Sequence, residues 1–113
     1  MVYDEEVAQR FRDALTEMNG VTEKRMMGGL CFLLNGNMIG AADRTKDGMK
    51  RLMFRVGKDN DAAAAALTGA QPMVQGGRRM TGFFFVDQND CDDDTFSAWL
   101  TLALGFVSEL PPK

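Results

Sequence analysis

The chain has 113 residues, which is the size of one domain, and a formal net charge of −3. Hydrophobic residues make up 45% of it, enough for a core that needs no disulfide or metal. Histidine is absent, which excludes Ser-His and Cys-His dyads and removes the commonest metal ligand.

The first half of the chain predicts one helix followed by four strands. Val7, Phe11, Leu15 and Met18 recur at helical spacing, so a helix is expected from about Asp4 to Met18. The strands are expected at Glu23–Met27, Leu30–Leu34, Asn37–Ala41 and Arg51–Val56.

A tight hairpin is predicted at Asn35-Gly36, because both residue types tolerate the positive φ of a two-residue turn. The register of a regular hairpin divides the neighbouring side chains between two faces. One face is expected to hold Leu30, Phe32, Leu34, Ile39 and Ala41, and the other to hold Cys31, Leu33 and Met38.

The second half predicts a helix, two strands and a final helix. Asp59 or Asn60 is expected to cap a short helix that runs to Leu67. Strands at Pro72–Val74 and Arg79–Val86 precede a helix from about Asp94 to Leu110. The expected fold is therefore α+β, with about six mainly antiparallel strands in the order α-β-β-β-β-α-β-β-α, in a single domain over residues 1–113.

The two cysteines, Cys31 and Cys91, form no C-x-x-C pair, and free thiols fit a reducing cytosol. Cys31 is expected in the core and Cys91 on the surface, where neighbouring carboxylates would raise its pKa. The acidic start of the chain is unlike a signal peptide, and no apolar stretch reaches 18 residues. A cytoplasmic protein without a membrane span is expected.

The acidic segment 87–94 lacks the spacing of a calcium loop, since Cys91 interrupts it and no suitable Glu follows. Its carboxylates are expected to cap the last helix instead. The sequence therefore predicts no metal, no cofactor and no enzymatic activity.

Residues 24–79 carry a net charge of +6 between acidic ends, which predicts a basic surface. If Arg51 and Arg55 share a sheet face with Lys24 and Arg79, they would form a patch able to meet phosphate or an acidic protein. Ion pairing of these cations with the acidic helices is the favoured alternative. The candidate interaction surface consists of Lys24, Arg25, Arg51, Arg55, Arg78 and Arg79.

Apolar side chains are expected on both faces of the sheet, although the helices can cover only one. The second face should hold some of Leu33, Met38, Met53 and one of Phe83–Phe85. Exposed apolar patches usually mean association, and nine methionines add adaptability. A homodimer is therefore expected.

The segment 22–38, TEKRMMGGLCFLLNGNM, resembles the signature of the TfoX/Sxy N-terminal domain. The resemblance continues through residues 52–57, 71–73, 79–87 and 110–113. It implies an α+β domain with a central antiparallel sheet, no established catalytic residues, and a relation to competence regulators that act in transcription. The chain resembles the stand-alone N-terminal members, without the C-terminal domain of those regulators.

Three functions are open at this point. The first is a small regulatory or adaptor domain that forms a homodimer and binds protein, with a transcription-related protein as one candidate. The second is a nucleic-acid binder that uses the basic sheet residues, and the third is a small-molecule binder or enzyme with a pocket between helix and sheet. The first is favoured because the whole domain is acidic.

Overall fold

A computed structural model describes residues 5–26 and 28–113. The elements follow the predicted order, with two short 3-10 turns at Lys58–Asn60 and Gln88–Asp90. The helices are α1 (Glu5–Leu15), α2 (Asp61–Ala65) and α3 (Asp93–Val107). The strands are β1 (Val21–Met26), β2 (Gly29–Leu34), β3 (Asn37–Arg44), β4 (Lys50–Arg55), β5 (Gln71–Gln75) and β6 (Arg78–Asp87).

The six strands form one sheet in the order β1-β2-β3-β4-β6-β5, and every neighbouring pair is antiparallel. The helices pack on one face of this sheet, α1 and α3 over β3 and β4 and α2 over β6. The predicted fold class is confirmed. The predicted helix start at Asp4 and strand end at Met27 lie outside the described residues.

Aromatic rings fill the space between helices and sheet. Phe54 lies at the centre, with its ring centroid 5.4 Å from Trp99, 5.6 Å from Phe11 and 5.9 Å from Phe96. Trp99, Phe11 and Phe54 are fully buried. Burial of several aromatic side chains of this size makes the layer the main source of stability.

The hairpin between β2 and β3 turns at Asn35-Gly36, as predicted, with φ of 52° and 87°. Its predicted register is wrong beyond Ile39, because a β-bulge shifts the pairing from Leu33↔Met38 to Phe32↔Gly40. Ala41 is consequently opposite Cys31 instead of sharing the face of Phe32.

Two further local predictions need correction. Asn60 occupies the cap position of α2 but makes no capping bond, and its side-chain amide instead donates to the Val56 carbonyl oxygen at 3.1 Å. Cys91 is buried, at 3% exposure, because it packs into the core beneath the helices instead of projecting from the acidic segment.

No helix in the described part of the chain combines the length and the apolar character needed to cross a membrane.

Candidate functional site

The sheet face opposite the helices, called the open face below, carries a second apolar cluster. Cys31, Ala41 and Met53 are buried at its centre. Side chains around them are partly buried: Met26, Leu33, Met38, Phe83 and Phe85. Within residues 5–26 and 28–113, no helical residue belongs to this cluster. The predicted apolar surplus on the second face is therefore present.

The open face is concave and encloses a groove of about 290 Å³. Met26 of β1 and Met73 of β5 both line this groove, although these strands are the opposite edges of the sheet. In a flat sheet six strands wide, the edges would lie about 24 Å apart. The strands must therefore curve strongly around the groove, helped by the bulges in β3 and β6.

A second cavity of about 390 Å³ adjoins the first. The two share Met26, Met38 and Phe83, so they are parts of one continuous groove. Lys24, Arg55 and Lys113 line the second cavity. In the described part of the chain, none of these three cations has a carboxylate within ion-pair distance. This part of the groove is the basic end.

The last residues of the chain are fixed at the basic end by two hydrogen bonds. The buried Asn37 side chain donates from Nδ2 to the Pro111 carbonyl oxygen at 2.9 Å. The backbone N–H of Lys113 donates to the Asn35 carbonyl oxygen at 2.8 Å. Lys113 thereby lines a cavity whose other cations come from distant strands.

The opposite end of the groove carries a neutralised charge pair. The Arg51 guanidinium donates to both carboxylate oxygens of Asp43, at 2.8 and 3.0 Å. Its central carbon also lies 3.7 Å from the centroid of the Phe85 ring. A bidentate, stacked arginine of this kind is held in place and offers little net charge to a ligand.

The structure separates the six cations of the predicted interaction surface. Lys24, Arg51 and Arg55 line the open face. Arg79 does not share that face, because its guanidinium donates to Asp61 of α2 at 2.9 Å and lies over the helix-side ring of Phe84.

Neither of the remaining two cations lines the groove. Arg25 is opposite Leu30, whose side chain packs in the helix-side core, so alternation directs Arg25 to that side. Arg78 is exposed beside the turn that joins β5 and β6. One continuous patch of all six cations is therefore not formed.

The acidic segment behaves as a helix cap. The Asp92 carboxylate accepts a hydrogen bond from the Thr95 N–H at 2.8 Å, and this bond lowers the pKa of Asp92. Among the described residues, no cluster of three or more acidic or cysteine side chains has the arrangement of a metal site. The predicted capping role is confirmed for Asp92.

Neither thiol is activated. Burial raises the pKa of Cys31 and of Cys91, and for Cys91 the nearby Arg10 opposes that effect. The predicted direction is confirmed for Cys91, although burial is a larger cause than the neighbouring carboxylates. A thiol held in its protonated form is a poor nucleophile.

These features define an α+β domain with helices on one sheet face and a methionine-lined groove on the other. The sequence matches the model of the TfoX N-terminal domain over residues 13–107, and the chain belongs to that family. A crystal structure of a protein from Pseudomonas syringae has the same fold, with a TM-score of 0.61 at 9% identity. The similarity covers 88% of this chain and 97% of that one. No curated protein matches the sequence.

Sequence reasoning missed several groove residues. Met26, Met73 and Met80 come together only because the sheet curves, and strand alternation alone does not reveal curvature. Lys113 follows a Pro-Pro pair, which carries no signal that the backbone returns to the β2–β3 turn. The count of nine methionines was the one available sign of an adaptable surface.

Proposed function

We propose that this chain is a non-enzymatic regulatory domain of the cytoplasm that acts by binding a partner protein through the open face. The observation that carries the proposal is the apolar cluster around Met53, on a face where the described chain places no helix. Apolar surface of this kind, rimmed by polar groups, is typical of association sites. Membership of the TfoX N-terminal domain family supports a role in transcription or competence regulation.

Binding of nucleic acid is less well supported, because the cations are divided between two faces. Arg51 is paired with Asp43 and Arg79 with Asp61. A nonspecific nucleic-acid surface needs several free cations along one track to neutralise successive phosphates. The net charge of −3 opposes such binding further.

The simplest partner protein is a second copy of the same chain. A homodimer joined through the open faces would remove the apolar cluster from water in both copies. Sedimentation equilibrium at micromolar concentration should then give the dimer mass, and Met38→Glu should reduce it to the monomer mass. A monomer at high concentration would instead favour a different protein as the partner.

A paired-variant purification tests the proposal. Met38→Glu introduces a charge into the groove, whereas Val74→Glu introduces the same charge at an edge position that is already 59% exposed. We expect a partner, identified by mass spectrometry from native cells, to bind the wild type and Val74→Glu but not Met38→Glu. Circular dichroism should show that both variants are folded. Equal retention by both variants would contradict docking on the open face.

A further inference from the structure

We infer that the groove on the open face is a binding site for a small amphipathic anion, such as a carboxylate with an apolar body. This inference goes beyond the proposed partner docking, because it concerns a small molecule and not a protein. Three observations support it: the size of the groove, its methionine lining and the distribution of charge along it.

The size of the groove fits a small molecule. Its two parts have volumes of about 290 and 390 Å³. Ligand pockets are typically about 300–1,000 Å³.

The lining of the first part suits a flexible apolar body. Five methionines contribute to it: Met26, Met38, Met53, Met73 and Met80. Methionine is unbranched and polarizable, so it adapts to ligands of different shape. The rings of Phe83 and Phe85 complete the apolar wall. Aliphatic or aromatic groups would therefore be held without a specific polar partner.

The charge along the groove gives the ligand an orientation. At one end Asp43 already satisfies Arg51. At the other end Lys24, Arg55 and Lys113 converge on one cavity. Arg55 is partly buried beside two rings, with its guanidinium carbon 5.3 Å from the centroid of Phe106 and 6.0 Å from that of Phe83. Cations beside apolar walls attract an anion more strongly than cations in open water do. The anionic head should bind at this end.

Three probes of equal chain length separate the contributions of charge and apolar body: decanoate, decanol and decylammonium. Titration calorimetry on the full chain should show one decanoate per chain, weaker binding of decanol and none of decylammonium. Arg55→Gln should weaken decanoate binding by about tenfold, the effect of losing one charged hydrogen bond, and leave decanol unchanged. Lys58→Gln is the matched control, because it also removes one positive charge and Lys58 lines neither cavity.

Methionine methyl signals in NMR spectra locate the bound molecule. The signals of Met38, Met53 and Met80 should shift on adding decanoate, whereas that of Met18, which packs on the helix side, should not. Equal affinity for decanoate and decanol, no effect of Arg55→Gln, or shifts confined to the helix side would each overturn the inference. So would the absence of decanoate binding at millimolar concentration.

These outcomes are separable from the partner experiment. Loss of decanoate binding with a partner still captured by the open face would reject only the small-ligand site. Decanoate binding without a captured partner would reject only the docking function.

Discussion

The Asp61 carboxylate accepts a hydrogen bond from the backbone N–H of Gly82 at 2.7 Å. Gly82 has a φ of 85°, so it lies at a bend within β6. Asp61 also binds the Arg79 guanidinium, at 2.9 Å. One side chain of α2 therefore fixes both the bend in β6 and the position of Arg79.

Asp61→Asn should lower the free energy of unfolding by about 1 kcal/mol, because the charged acceptor is lost while its shape is kept. Urea titration followed by the fluorescence of Trp99, the one tryptophan, measures the change. Asp59→Asn is the control, because Asp59 is exposed and lies in the preceding 3-10 turn. Equal stability of the two variants would contradict the assigned role.

The same carboxylate predicts a dependence of stability on acid pH. The Gly82 N–H, followed by Arg79, lowers the pKa of Asp61 below its ordinary value. The ionised Asp61 carboxylate contributes fully to the free energy of unfolding above the unfolded pKa of about 3.9. This contribution is lost as pH falls through the lower folded pKa. The stability difference between wild type and Asp61→Asn should therefore shrink between pH 5 and pH 3. A constant difference over that range would be inconsistent with the lowered pKa.

Phe54→Ala should lower the free energy of unfolding by about 3–5 kcal/mol, because it leaves a cavity between the Phe11, Phe96 and Trp99 rings. Val74→Ala should change it by less than about 0.5 kcal/mol, since Val74 is largely exposed. Chemical denaturation of the three proteins side by side provides the comparison. Similar midpoints for Phe54→Ala and wild type would mean that the aromatic layer is not the main core.

Two glycine-to-alanine substitutions should change the free energy of unfolding in opposite directions. A Cβ at Gly40 would overlap the Met53 carbonyl oxygen and lie 3.2 Å from the Phe11 ring, so Gly40→Ala should cost about 1–3 kcal/mol. Gly105 lies in α3 with no atom near a Cβ, so Gly105→Ala should stabilise by about 0.5–1 kcal/mol. Thermal unfolding measures both shifts. A destabilised Gly105→Ala variant would show that the space beside α3 is not free.

The sequence predicted the elements and the two-sided character of the sheet because both depend on local periodicity. Helical spacing located Phe11 in the core, and alternation put Arg51 and Arg55 together on the open face. The bulge at Ile39 escaped prediction, because the Asn35-Gly36 signal specifies a turn but not where the pairing shifts. The ion-pair partner of Arg79 was not predicted either, because no local sequence pattern indicates that Arg79 binds Asp61.

The bond between the Lys113 N–H and the β2–β3 turn has a consequence for the design of binding experiments. Any residues joined after Lys113 would begin at the basic end of the groove. Tethering through a short flexible linker gives an effective concentration in the millimolar range. An acidic or apolar tag at that position would therefore compete with decanoate for the groove. The decanoate affinities of the tagged and untagged chains would then differ.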